Sequence, residues 1–347
     1  MLYLNGRFLT QGLTGVQRYA REIAAALAAM PERPALTLLA PPGAEGLERF
    51  APLAPRIVGR LRGQAWEQID LPRAARDGML LNLGNTGPLM AGAAQAVVVH
   101  DAGVFDTPES YGWKFRAWYR TLQRGLVFRG ARLLTVSSFS ATRIKLHLGV
   151  DAPATLEGGE HILRAPPNPS VLDRHGLVPN GYALVIGTGA AHKNIAALRA
   201  AMATLRARGL ALAVAGAKDA SVFRSGTDVP EDVRALGRVS DPELRALYEG
   251  ALCLLFPSSY EGFGLPPLEA MWCGCPVIAG PAGAVPEVCG DAALYFDPDG
   301  PRSLADAVAK LADDAALRTE LAALGRARAA EFSWEMAARR LLGFAQG

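Results

Sequence analysis

The run Phe256-Pro257-Ser258-Ser259-Tyr260-Glu261-Gly262-Phe263-Gly264-Leu265-Pro266-Pro267-Leu268-Glu269-Ala270 follows the apolar segment Ala251–Phe256 and leads into a helical pattern. It reads as a strand that ends in a glycine-bearing turn, from which a helix starts with proline in its first turn. A helix start exposes backbone N–H groups that lack partners within the helix, and Gly262 and Gly264 put no side chain over them, so the run is a candidate anion site. Two carboxylates flank it, Glu261 in the turn and Glu269 in the helix, with seven residues between them. Beside an anion they would be repelled, unless they accept hydrogen bonds from hydroxyls on either side of it.

The same strand–helix alternation continues along the chain. Further short apolar runs fall at Met1–Leu4, Ala35–Ala40, Met79–Leu83, Ala96–His100, Arg132–Ser137, Ala183–Gly187, Leu210–Ala215 and Pro276–Ala279. Helical patterns lie between them, at Gln17–Met30, Trp66–Arg76, Asn194–Arg208, Asp241–Glu249 and Pro267–Cys273. Such alternation predicts α/β architecture, with parallel sheets covered by helices on both faces. Three prolines in Pro166-Pro167-Asn168-Pro169 can continue neither element, so the chain divides there into a first domain, 1–165, and a second, 170–332. Ligands of doubly wound sheets lie at the carboxyl ends of the strands, which draws attention to three glycine-bearing loops. They are Gly12-Leu13-Thr14-Gly15, Gly187-Thr188-Gly189 and the Glu261–Gly264 turn.

Composition removes several classes. The chain has 347 residues, half of them hydrophobic, which suits two domains of ordinary size and is too apolar for a disordered chain. The longest apolar stretch without charge, Ala270 to Pro286, is interrupted by Gly274, Pro276, Gly280, Pro281 and Gly283, so no span across a bilayer is expected. Met1 to Leu4 runs directly into Asn5-Gly6-Arg7, without the charged-then-apolar pattern of a secretion signal. Four cysteines do not make a disulfide framework, and the chain reads as soluble and cytoplasmic. Residues 1–170 hold 19 Lys+Arg against 13 Asp+Glu, net +6, while the remainder is net −3, so the first half is the one suited to an anionic partner.

Other features have plainer explanations. Asp297-Pro298-Asp299 has the spacing of a metal-binding pair but precedes Gly300-Pro301 and a helical pattern, which indicates a turn; no metal site is expected. Cys253, Cys273 and Cys275 lack the partners of a zinc set and read as core residues. Gly187-Thr188-Gly189-Ala190-Ala191-His192 starts like a dinucleotide fingerprint but has His192 at the third glycine. His147, His161 and His175 read as structural or exposed. Between Lys114 and Arg132, Arg116, Arg120 and Arg124 recur every fourth residue beside Phe115, Trp118, Leu122, Leu126 and Phe128. This is either a core-facing helix with a solvated arginine face or a peripheral contact with an anionic membrane at the inner face of the cytoplasmic membrane. The modest net charge and the lack of a recognition module argue against nucleic acid.

The Glu261–Glu269 run resembles the Glu-x7-Glu motif of family 4 retaining glycosyltransferases, which have the GT-B fold. The resemblance extends over essentially the whole chain, through Thr14-Gly15-Val16-Gln17-Arg18-Tyr19, Trp66-Glu67-Gln68, Asn85-Thr86-Gly87-Pro88, His100-Asp101 and Val136-Ser137-Ser138-Phe139-Ser140. Gly187-Thr188, His192-Lys193-Asn194, Leu236-Gly237-Arg238-Val239-Ser240-Asp241 and Phe332-Ser333-Trp334 follow in the family's order. The similarity is greatest to bacterial mannosyltransferase-like members of polysaccharide assembly. It implies two Rossmann-like domains facing an interdomain cleft, with segment 333–347 crossing back to the first.

The resemblance also implies roles. Glu261 meets donor-sugar hydroxyls, helped by the amides of Gly262, Phe263, Gly264 and Leu265, while Glu269 holds the ribose. Gly15 lets the backbone approach the diphosphate, Thr188 lies in the adjoining loop, and Lys193 pairs with the phosphate charge. His100 sits near the reacting carbon, and Arg238 and Val239 lie beside the base. Many members have arginine where this chain has Thr188, an acidic residue at Ser138, and Asn-Gly at Gly158-Gly159. The implied reaction is metal-independent transfer with retention, most simply of mannose from GDP-mannose to a glycan or lipid-linked acceptor, with no cofactor. The alternatives are a UDP-hexose donor, a dinucleotide-dependent oxidoreductase, and a catalytically silent nucleotide-sugar-binding protein.

Overall fold

Twelve strands form two six-stranded sheets in the computed structural model, which describes residues 1–187, 195–216 and 233–346. The chain divides into one unit made of Met1–Gly158 with Ser333–Gly347, and a second made of Gly159–Phe332. The passage between them lies at Gly158/Gly159, ahead of the proline-rich 166–169 segment. The reason is local packing: the short 3-10 turn Glu160–Leu163 lies against a helix of the second unit and so belongs to it.

The first sheet contains β1 (Leu2–Asn5), β2 (Leu36–Ala40), β3 (Arg56–Ile57), β4 (Met79–Asn82), β5 (Gln95–Val98) and β6 (Arg132–Leu134), in the order β3-β2-β1-β4-β5-β6. All its pairs are parallel, Leu4 standing opposite Leu38 on one side and Leu81 on the other. The second sheet contains β7 (Tyr182–Ile186), β8 (Ala211–Ala215), β9 (Val233–Gly237), β10 (Cys253–Phe256), β11 (Val277–Ala279) and β12 (Ala293–Tyr295), in the order β12-β11-β10-β7-β8-β9, again parallel throughout. Numbered within its own unit, each sheet has the doubly wound order 3-2-1-4-5-6, with its switch point between β1 and β4 in the first and between β7 and β10 in the second. Strands covered on both faces must be apolar on both, which is why β4 and β10 read as continuous runs and not as alternations.

Helices of eight residues or more are α1 (Gly15–Ala29), α2 (Trp113–Phe128), α3 (Ser138–Leu148), α4 (Ile195–Ala207), α5 (Asp241–Gly250), α6 (Leu265–Trp272), α7 (Ser303–Asp313), α8 (Ala315–Ala329) and α9 (Trp334–Gln346). On α1, Tyr19, Ile23 and Leu27 recur at four-residue spacing and are each 0% exposed. The buried Tyr19 meets Trp334 of α9 edge-to-face at 5.9 Å, and this seats the last helix in the first unit. In the second unit Leu198, Ala201 and Leu205 of α4 join Leu304, Val308 and Leu311 of α7 in one core. The segment expected as a helix at Trp66–Arg76 is helical, as part of a continuous run Gly63–Ala74 with a π-helical turn inside it. A π-helical turn, Trp66–Asp70, brings the neighbours Trp66 and Glu67 both inward, 0% and 1% exposed.

Candidate active site

The carboxyl end of β10 delivers the Glu261–Gly264 turn. Gly264 has φ +115°, a conformation that glycine alone adopts without strain, and it caps α6. Pro266 and Pro267 have no N–H, so the donors at this helix end are Leu265 and the loop amides before it. A second loop braces the turn from behind: Ala284 donates its N–H to the Glu261 carbonyl at 3.0 Å. Gly283, at φ +61°, touches the Glu261 backbone so closely that any β-carbon there would overlap the carbonyl oxygen. Phe263 is buried edge-to-face on Phe332, at 6.0 Å. The Glu261 backbone is thereby fixed while its side chain is only half buried.

Glu269 is 6% exposed. The Tyr248 hydroxyl donates to its Oε2 at 2.9 Å, and His161 Nε2 lies 3.0 Å from Oε1. Burial, together with the neighbouring Glu269 charge, holds the Tyr248 phenol well above its ordinary range, so it stays a donor. His161 reaches this position because the backbone at Gly159 runs tight against α6. A β-carbon at Gly159 would come within 2.7 Å of the Trp272 ring and 2.8 Å of Leu268 Cγ. The Gly158-Gly159 pair therefore has a packing reason. His161, read from sequence as structural or exposed, is buried and pairs with Glu269, as does Tyr248. The one signal for His161 was its place two residues after the departure at Gly158-Gly159.

Other strands of the second sheet end in glycine backbone. Gly187, Gly216 and Gly237 end β7, β8 and β9 with φ of +141°, +91° and +66°, and Gly216 donates to the Gly237 carbonyl at 2.7 Å. Arg238 follows, exposed, and Val239 is half buried. Thr188, His192 and Lys193 lie outside the described residues.

In the first unit, Gly15 opens α1 at an exposed position where a β-carbon would meet nothing within 4 Å. Its glycine is not required by packing and leaves the amino end of a 15-residue helix uncovered. His100, by contrast, is enclosed, at 6% exposure. Its Nε2 is 2.9 Å from the Leu83 carbonyl, its Nδ1 is 3.5 Å from Glu157 Oε1, and its ring stands edge-on to Tyr19 at 4.7 Å. The Asn85 side chain accepts the His100 backbone N–H at 2.7 Å.

Two motifs distant in sequence prove to be one hydrogen-bonded unit. Glu67 Oε1 receives Asn5 Nδ2 at 2.9 Å and the Thr86 hydroxyl at 3.1 Å, with Arg7 Nε at 3.1 Å. Arg7 also donates to the Thr86 hydroxyl at 2.8 Å, and Asn5 to Asn82 at 2.9 Å. Gln68 donates to the Gly87 carbonyl and accepts from the Leu89 N–H. Burial raises the pKa of Glu67, opposed by Arg7, Asn5 and Thr86. Arg7 was not visible as a site residue in the sequence, since nothing in its neighbourhood forms a motif.

On α2 the arginines do not form an independent basic row. Arg120 donates to the Val104 carbonyl at 2.7 Å and Arg116 to that of Pro108 at 3.3 Å, while Arg120 and Arg124 both lie over the Phe105 ring. The exposed side chains include Trp113, Trp118 and Phe128, at 68%, 42% and 89%. No described helix is long and apolar enough to cross a membrane. Asp297-Pro298-Asp299 is a turn, Asp297 accepting the Asp299 N–H at 3.0 Å. The four cysteines are buried, and burial pushes the Cys253 thiol up to about 12.

Residues 177–328 match the family model of glycosyl transferases group 1. The chain is 36% identical over 251 residues to an Escherichia coli O-antigen chain mannosyltransferase B, an alignment covering 68% of this chain and 66%, just under two thirds, of the relative. It is 29% identical over 264 residues to the O-antigen chain mannosyltransferase RfbU of Salmonella typhimurium, covering 72% and 71%. Among solved structures it is similar to a sucrose-phosphate synthase from Thermosynechococcus elongatus, with TM-score 0.78 and 18% identity over 99% of this chain and 98% of that one.

Proposed function

We propose, for a chain that carries a group 1 glycosyltransferase domain in a GT-B frame, that it moves mannose from GDP-mannose to a glycan or lipid-linked acceptor, with retention and without a metal. The O-antigen mannosyltransferases among its relatives support the sugar and the setting. The observation that carries the reading is the Glu261–Gly264 turn, braced by Gly283 and Ala284 at the carboxyl end of β10 beside the switch point.

The chemistry needs few parts. Departure of a nucleoside diphosphate develops negative charge, which amides at a helix start and Lys193 stabilise. Glu261 accepts hydrogen bonds from the donor sugar. Glu269 keeps lone pairs for the ribose hydroxyls, because a carboxylate has about four acceptor sites and Tyr248 and His161 engage only part of them. A phosphate oxygen of the donor takes the acceptor proton on the face from which the leaving group departs, so no enzymic nucleophile is required. His100 supports the donor sugar. Peripheral membrane contact through the exposed aromatics of α2, with Lys114 and Arg129 beside them, belongs to the same proposal. Flotation with acidic but not neutral liposomes is its expected signature.

Thermal stabilisation by GDP, GDP-mannose, UDP and NAD, with and without a chelator, tests the donor. Ligand at 100 times its dissociation constant adds about 2.7 kcal/mol. The expected result is a shift with GDP and GDP-mannose that the chelator leaves unchanged. A shift with UDP alone replaces the donor, and a shift with NAD alone overturns the transferase reading. Glu261→Ala is expected to abolish transfer while the fold is retained; unchanged transfer would remove this residue from the site.

A further inference from the structure

We propose that Arg328, the last but one residue of α8, is a positioning residue for the Glu261–Gly264 turn: its guanidinium anchors both of the segments that brace that turn. The proposal rests on the transferase reading above and adds to it the side chain on which the geometry of the turn depends. Every residue involved lies within the second unit. The first brace is the segment Gly283 to Cys289. Gly283 and Ala284 hold the Glu261 backbone, and the short helix Val285–Cys289 follows at once. Five residues make too few hydrogen bonds to hold a helix by themselves, and Pro286 contributes no N–H. The carbonyls of its last turn have no partners within the helix. Arg328 supplies them: Nη2 donates to the Glu287 carbonyl at 2.6 Å and Nε to that of Val288 at 3.0 Å. The Tyr295 hydroxyl donates to the Gly290 carbonyl at 3.0 Å, so the end of this segment is tied to α8 and β12 while its start holds the turn.

The second brace is aromatic. The Arg328 guanidinium carbon lies 4.9 Å from the centre of the Phe332 ring, and Phe332 stands edge-to-face on Phe263 of the turn at 6.0 Å. Both rings are buried, at 5% and 4% exposure, so neither moves without disturbing the packing around it. Helix α8 is itself set close to α6, the helix that starts from the turn. Gly325 makes this possible: a β-carbon there would come within 3.2 Å of Met271 Cγ.

The position calls for a guanidinium. Being planar, it donates to two carbonyls from two nitrogens while it also lies against a ring, which an ammonium cannot do. Its third nitrogen pairs with Glu331, a carboxylate that is 61% exposed, so this ion pair adds little and the anchors are the carbonyls and the ring. Arg318, also on α8, makes the same kind of contact elsewhere. Its Nη1 donates to the Leu311 and Ala312 carbonyls, at 2.8 Å each, near the end of α7. Neither carbonyl belongs to a segment that braces the turn, which makes Arg318 the matched control.

Two measurements on the full chain test the assignment: hydrogen exchange over residues 258–268 and 282–289, and titration with GDP and UDP well below the unfolding temperature. Arg328→Ala is expected to speed exchange in both segments about tenfold, the Ala284 amide included, and to weaken nucleotide binding about tenfold. Arg318→Ala is expected to lower the urea midpoint by a similar amount and to leave both readouts at their wild-type values. Arg328→Lys keeps a charged donor without the fork and is expected to recover part of both losses. Should Arg328→Ala not fold, the lysine variant carries the comparison with Arg318→Ala, with the same signs and smaller changes. Equal exchange, or equal nucleotide affinity, in the Arg328 and Arg318 variants overturns the positioning role. Faster exchange in the Arg328 variant of a protein that binds neither nucleotide upholds the anchor and overturns the transferase reading.

Discussion

The two sheets share one strand order, yet their switch points are built from different materials. In the first unit the space beside β1 and β4 holds interlocked polar side chains: Asn5, Arg7, Glu67, Asn82 and Thr86. In the second unit, the ends of β7 and β10 are followed by glycine-bearing backbone, Gly187 on one side and Gly262 and Gly264 on the other, in place of interlocked side chains. Backbone recognition suits a ligand part shared by many enzymes, such as a diphosphate, because it needs close approach and no particular side chain. Side-chain recognition suits the variable partner. The matched family model, residues 177–328, falls entirely in the backbone-built unit.

The contrast is open to test by removing what is peculiar to each switch point. The largest effect is expected in the first. Glu67→Ala leaves the 7%-exposed Arg7 without its counter-charge, and breaking a buried pair from one side costs about 3–5 kcal/mol. Urea unfolding of the variant is expected to show that loss, with Glu67→Gln, which keeps an acceptor oxygen, losing less. A Glu67→Ala midpoint equal to wild type would mean that the polar network does not hold the first switch point together. In the second unit the matching change is Gly283→Ala, which puts a β-carbon into the Glu261 carbonyl at φ +61°. The strain costs about 1–3 kcal/mol and displaces the turn, so stabilisation by GDP is expected to fall with it. Retained GDP response at reduced stability would show that the turn is not the diphosphate site.

The same contrast explains how far the sequence could be read. The β10–α6 turn was legible because its parts are contiguous: an apolar run, glycines, prolines and two carboxylates within fifteen residues. Nine of the strands were legible for the same reason. Arg56–Ile57, Val233–Gly237 and Ala293–Tyr295 were not, being short or edge strands whose pairing is set by neighbours and not by their own pattern. The Arg7–Glu67 and His161–Glu269 pairs were invisible because each joins residues that only the folded topology brings together; Asn5 and Glu67 stand 62 positions apart. His100 was legible as a candidate from its place after a strand, but its enclosure by Leu83, Glu157 and Tyr19 was not.

The smallest expected effect sharpens the comparison by lying outside both switch points. Glu243 closes a capping box with Ser240 at the start of α5 and is held also by Arg174. The Ser240 amide, the Arg174 guanidinium and the Ser240 hydroxyl together bring its carboxyl from 4.5 down to about 2. A carboxylate whose pKa is lower in the folded state stabilises the fold above its unfolded pKa, and that contribution is lost as pH falls through the folded one. The loss is therefore expected between about pH 4.5 and 2, and its size is that of a helix cap, about 1 kcal/mol. Glu243→Gln is expected to be less stable near neutral pH and to lose less on acidification across that window, with GDP response unchanged at pH 7. Were GDP response to fall with the cap, the second unit's donor site would depend on the whole sheet's stability and not on its local backbone, and the contrast between the two switch points would lose its basis.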